Sequence, residues 1–360
     1  MKGIWAILAT TILGWATAVQ ASPLDLKDVP ADAKWVAHVD FDAARSSQVV
    51  QSFSQQCGTI WPKLREKAAT LGQKIGLDQC GDLHGITIYS AKLEPGNGVL
   101  IARAKWNSQT LLERAKKASD YTTLKYGNYT IHAFTAHKGS KGSKHAHQVA
   151  GTLHKADVLV LASSPDLLKT ALDVLDGKAT NLVGKPSPLA ANVPAGAIVL
   201  ARAVDLKDSA AAHMHPVLQL LNSFDYAKGE HDGRWFSDLA VTADSKPVAE
   251  NLGKVFEGFR AWLSLHAHKA PWFVELLKKV QLNVQDNVVT ATFQEPAGTI
   301  AALMPQACKS IQEHMQMCAK MRRMHCPMMP GPGKAQSPAG CPMMKEMPRA
   351  GAATSGKTQK

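Results

Sequence analysis

The segment Val29-Pro30-Ala31-Asp32-Ala33, running into Trp35-Val36-Ala37-His38-Val39 and ending at Asp40-Phe41, decides how this chain folds. Proline fixes φ and lacks an N–H, which suits a turn at the entrance to a strand. The apolar run behind it has the length of a buried strand. Asp40 then supplies the side-chain acceptor that starts a helix. The same grammar returns, slipped by one residue, as Val193-Pro194-Ala195-Gly196-Ala197, then Ile198-Val199-Leu200-Ala201, ending at Val204-Asp205-Leu206. Two opening strands imply two related halves.

Outward from the first copy, 42–53 reads as one helix and 60–75 as a second. Strands at 83–90 and 98–105 flank Pro95-Gly96-Asn97, and Asn107 or Ser108 caps a helix. A hairpin turns at Gly127-Asn128. Strands at 148–153 and 158–162 precede a helix with Ser164 as its cap and Pro165 at its first position. In the second half a helix is expected around 216–223 and a strand at 234–242. A longer helix at 247–265 carries Val248, Leu252, Val255, Phe259, Trp262 and Leu263 at helical spacing. A short helix near 272–277, strands at 280–284 and 288–293, and a helix opened by Glu295-Pro296 follow. Hairpins interrupted by helices predict an α+β fold: two related halves, each a mainly antiparallel sheet with helices packed on one face. A single mixed sheet shared by both halves is the alternative. The expected parts are a signal peptide (1–21), a first half (22–180), a linker (181–192, with Gly184, Pro186 and Pro188), a second half (193–305) and a tail (306–360).

The chain has 360 residues, 45% of them apolar, and a formal net charge of +12. That charge suits an anionic cell-surface polymer as partner. The basic residues are scattered, without an Arg-rich helix or interleaved aromatics, which argues against nucleic acid. Lys2, the apolar run from Ile4 to Val19 and the small residues of Val19-Gln20-Ala21 describe a secretory signal peptide, so the expected mature chain starts at Ser22, exported to the periplasm or beyond. No later segment is apolar enough to span a membrane.

In an exported chain the six cysteines meet an oxidising compartment. Cys57 and Cys80 lie in the body, and pairing them would staple the segment between them; two free buried thiols are the alternative. Cys308, Cys318, Cys326 and Cys341 lie toward the C-terminus. The chain carries no nucleophile elbow, no phosphate loop, no H-E-x-x-H and no dinucleotide fingerprint, so no catalytic residues are assigned.

The chemistry concentrates in the tail. From His314 to Met347, 34 residues hold nine Met, three Cys and two His, and no Leu, Ile, Val, Phe, Tyr or Trp. Methionine in a core has aliphatic neighbours; here it has none. His314, Cys318, Met321 and His325 recur at steps of four, three and four, along one helical face. Met315, Met317 and Met324 stand among them. Beyond, Cys326-Pro327-Met328-Met329 and Cys341-Pro342-Met343-Met344, with Met347, repeat a loop-like unit. Thioether, thiolate and imidazole together suit copper, Cu(I) above all. A tail sacrificed to oxidation and a crosslinking cysteine tail are the rival readings. The His-x-His pairs 145/147, 213/215 and 266/268 read as solvated histidines, and His38 and His84 as structural ones.

Val29–Asp40, Asp82-Leu83-His84-Gly85-Ile86-Thr87-Ile88-Tyr89 and Ala171-Leu172-Asp173-Val174-Leu175-Asp176-Gly177 resemble a family of uncharacterised exported bacterial proteins of the planctomycete type. The resemblance covers about residues 24–305 and excludes the tail. It implies an exported protein and carries no site residues.

Overall fold

The two opening strands lie side by side. β1 (Trp35–Asp40) and β8 (Ala197–Val204) pair antiparallel, with His38 opposite Leu200. The computed structural model describes residues 22–324, apart from scattered positions between 59 and 79, position 95, 138–145, scattered positions between 210 and 215, and 267–269. The expected signal peptide, most of the expected helix at 60–75, and His145, His213, His215 and His268 lie outside the described residues.

From β1 the chain passes through α1 (Phe41–Ser46) and α2 (Gln48–Gln56) to β2 (Leu83–Ser90) and β3 (Val99–Ala104). α3 (Ser108–Ala115), β4 (Thr122–Tyr126), β5 (Tyr129–His137), β6 (Ala146–Lys155), β7 (Val158–Ala162) and α4 (Pro165–Leu175) complete the first half. After β8 come β9 (Leu221–His231), β10 (Arg234–Ala243), α5 (Lys246–His266), α6 (Pro271–Lys278), β11 (Gln281–Gln285), β12 (Val288–Pro296) and α7 (Ala297–Met324). The strands form one twelve-stranded sheet in the order β11-β12-β10-β9-β8-β1-β2-β3-β7-β6-β5-β4, antiparallel throughout.

The fold is thus α+β, built of two related halves joined in a shared sheet. Reading outward from the seam, each half runs through three sequential strands and then its own last strand: β1-β2-β3-β7 on one side, β8-β9-β10-β12 on the other. A helix follows the third strand in both, and another follows the closing hairpin. The β4–β5 hairpin has no counterpart in the second half.

Two local expectations are corrected. The helix at 42–53 is two helices, because Ser47 is extended and its Oγ accepts the Val50 N–H at 3.2 Å, capping α2. The expected helix at 216–223 is a short 3-10 turn, Pro216–Leu220, and then β9. β9 hides from a pattern reading because Asp225, Lys228 and Glu230 interrupt its alternation. Glu230 instead accepts from Ser47 Oγ at 2.7 Å and from the N–H groups of Gln48 and Val49 at 3.2 Å, at the start of α2.

Alternation along the strands assigns each side chain to a face. On one face Leu168, Ala171 and Leu172 of α4 pack into the main core with Val36, Ile101 and Val160. The segment expected as a linker is part of that layer: Leu182 and Leu189 are fully buried. Arg202, also buried, holds it down by donating to the carbonyls of Leu189, Ala191 and Asn192 (3.3, 2.6 and 2.8 Å) while its Nε donates to Asp225 at 3.1 Å.

The opposite face of the second half is covered by α5, whose Val248, Ala249, Leu252 and Phe256 pack on Ala243, Leu282, Val284 and Val289. The helix sits close: a Cβ at Gly253 would stand 2.7 Å from Val284 Cγ2. The apolar positions read as one stripe therefore divide. Val248 and Leu252 face the sheet, whereas Val255, Phe259 and Trp262 are exposed.

Candidate functional site

The C-terminal helix is rooted in the body before it reaches the soft donors. Ala297 and Ile300 of α7 bury against Val49 of α2. Pro305 lies inside α7 and lacks the N–H that would reach back to Ala301; Ser52 Oγ donates to that carbonyl instead, at 3.0 Å. Immediately after α2, at its C-cap, Cys57 is bonded to Cys308, with Cα atoms 5.3 Å apart and both residues buried. This replaces the expected Cys57–Cys80 pairing. The reason is positional: α2 and α7 lie against each other, so Cys308, distant by 251 residues in sequence, is the thiol that Cys57 meets. The tail boundary expected at 305/306 falls inside α7, and Cys308 belongs to the body, which extends to Glu313.

The proposed donors form a second unit from His314 onward. His314, Met315, Met317, Cys318, Met321 and Met324 lie on α7, and its helical backbone puts 314, 318 and 321 on one face. Met315 and Met317 are 51% and 49% exposed. Neither fills a core. His325, Cys326, Met328, Met329, Cys341, Met343, Met344 and Met347 lie outside the described residues. Among the described residues no three His, Cys, Asp or Glu side chains converge as a metal site.

The remaining polar groups of interest have structural partners. His38 is buried with Nδ1 2.9 Å from Thr87 Oγ1 and Nε2 2.9 Å from the Ser22 carbonyl, and burial holds its pKa below the usual imidazole range. His84 and Arg45 share the buried carboxylate of Asp42. Asp176 accepts from Tyr129 (2.6 Å) and Lys178 (2.8 Å) and contacts His154 (3.0 Å). Burial alone would raise the Asp176 pKa, but these hydrogen bonds outweigh it and bring it down to about 2. The cluster ties the β4–β5 hairpin and β6 to the end of α4.

One concavity was not anticipated from the sequence. Between α3 and the sheet face opposite α4 lies a cavity of about 680 Å³. Its floor is Ile86, Leu100, Leu159 and Leu161, its wall is Phe134, and its roof includes Leu111 and Leu112 of α3. Asn107 starts α3 by accepting the Thr110 N–H at 3.0 Å, and Trp106 beside it donates Nε1–H to the Ala102 carbonyl at 3.3 Å. His132 reaches the cavity from β5, with Nδ1 2.7 Å from Tyr121 Oη; burial, and then the charges of Lys116 and Lys125, keep it below the usual imidazole range. The sequence signal for the site was the continuous apolar run of β3 (Val99-Leu100-Ile101-Ala102) and of β7, which also describes a strand packed on both faces.

No family model matches the chain, and no curated protein matches it. Among solved structures it is similar to TP0453. Crystal form III of that protein is 8% identical with a TM-score of 0.39, covering 79% of this chain and 98% of that one. Crystal form I is 10% identical with the same TM-score and coverage. Crystal form IV is 8% identical with a TM-score of 0.38, covering 81% and 99%.

Proposed function

We propose that the chain is an exported, non-enzymatic binding protein whose sulfur- and imidazole-rich C-terminal segment takes up copper(I). The observation that supports this most is the setting of Met315 and Met317: they stand in solvent on α7, at the head of a window that contains no aliphatic partner for any of its nine methionines. Thioethers keep their lone pairs in an oxidising compartment, where thiols are consumed as cystine, and soft sulfur with imidazole favours Cu(I). The Cys57–Cys308 bond ties the part of α7 that precedes the segment to the end of α2. Export rests on the features of 1–21 and on the resemblance of 24–305 to exported bacterial proteins; among the described residues no helix is long and apolar enough to cross a membrane.

The test is a Cu(I) competition titration against a chromophoric chelator, using the full chain and a form ending at Glu313, which retains Cys308. The full chain is expected to bind with a Kd below about 1 μM and the shortened form at least a hundredfold more weakly. Equal binding by both, or no binding by the full chain at that level, removes the copper reading. If both forms then bind a polyanionic envelope polymer equally, the basic body is the functional part.

A further inference from the structure

The cavity beneath α3 stands where the second half has a packed core. α3 and α5 both follow the third strand of their half and cover the same sheet face. α5 lies directly on its strands, whereas beneath α3 there is a half-open space of about 680 Å³. A volume of that size is within the range of small-molecule sites, roughly 300–1,000 Å³. It is set into the protein's own apolar surface, which water covers unfavourably.

The walls state what would fill it. Leu100, Leu159, Leu161, Leu111, Leu112 and Phe134 offer only hydrocarbon. Several polar groups that line it are already engaged: His132 with Tyr121, Thr130 Oγ1 with Lys125 Nζ at 2.7 Å, and Trp106 with a carbonyl. A sugar or nucleotide would bury hydroxyls there without partners. The edge is different. Arg114 lines the cavity and has no ion-pair partner among the described residues, and Lys125 and Lys116 lie near His132. The nearby acids are occupied, Glu113 by Gln109 at 2.8 Å and Asp120 by Thr135.

We propose that this cavity binds an anionic amphiphile with a single long hydrocarbon chain, of the fatty-acid class, its chain lying between α3 and the sheet and its carboxylate meeting Arg114 and Lys125. The site is independent of the copper segment.

The test uses the full chain and a fluorescent C16–C18 fatty acid, with palmitate and hexadecanol as competitors. Saturable binding in the micromolar range is expected, with palmitate displacing the probe at least tenfold better than hexadecanol. Ala102→Phe, which grows from β3 into the cavity, should weaken binding at least tenfold. Should that variant fail to fold, Leu112→Trp fills the same space from the roof. Arg114→Gln with Lys125→Gln should abolish the preference for palmitate and leave hexadecanol binding unchanged. Absence of saturable binding overturns the proposal, as does binding that both cavity-filling variants retain. Loss of binding on Phe259→Ser with Trp262→Ser, with Ala102→Phe unaffected, would place the probe on the exposed face of α5 and overturn it equally.

Discussion

The two halves share a strand order and differ in what they do with their faces. In the first, α4 fills one face with Leu168 and Leu172, and the linker segment extends that layer over the seam. In the second, no helix among the described residues packs on the equivalent face. β11 and β12 present Asn283, Thr290 and Thr292 on that side, a surface suited to water. On the other face the roles reverse: the second half is tightly packed under α5, and the first is hollow under α3. A duplicated strand plan therefore fixes neither a solid core nor a cavity. The helix length and the residues facing the floor do: α5 has 21 residues and Gly253 for close approach, α3 has eight.

The largest break in this comparison should come from separating the halves. The Cys57–Cys308 bond joins α2 of the first to α7 of the second across 251 residues. On chain-entropy grounds Cys308→Ser should cost about 5 kcal/mol, read as a lower denaturant midpoint, with thiol reductant giving the wild type the same loss. An unchanged midpoint would mean that the halves are held by their sheet pairing alone. Next in size is the contrast between solid and hollow faces. Val289→Ala, beneath α5 and 1% exposed, should cost about 2 kcal/mol, because a buried large-to-small change opens a new void. Leu112→Ala, at an existing cavity, should cost under about 1 kcal/mol, and equal losses would show that the first half closes up in solution.

The smallest effect concerns the seam, where His38 in one copy faces Leu200 in the other. Burial depresses the His38 pKa from 6.5, so the unfolded chain takes up the proton first as pH falls. Its contribution to stability is full above about pH 6.5 and declines as pH drops from there toward the native pKa. His38→Leu should flatten that decline in urea melts between pH 7 and pH 5. His132, shifted in the same direction, contributes to the part that remains.

Much of this architecture was legible. Pro30 and Pro194 mark the entrances to β1 and β8, and Asp40 does cap α1 by accepting the Ala43 N–H at 2.8 Å. Its counterpart Asp205 does not cap; it adopts a left-handed backbone and pairs with Lys34 across the seam. Ser164, Pro165 and the Asp286-Asn287 turn carry local chemistry and stood in their expected places. What escaped depends on distant partners. Cys57 carries no mark that singles out Cys308, and Glu230 reads as a surface charge until α2 is seen against it. The cavity escaped for a related reason. Leu111 and Leu112 have the composition of core residues, and only the gap beneath them distinguishes a roof from a filled interior.

The Cys57–Cys308 bond also imposes an order of events. A chain that emerges N-terminus first exposes Cys57 and Cys80 together, while Cys308 is still more than two hundred residues behind. Oxidation at that moment can only join the wrong pair. The native crosslink has to wait for Cys308 to emerge, or replace an earlier bond by thiol exchange. Its formation is thus a record that synthesis has passed α7's Cys308, near the end of the body.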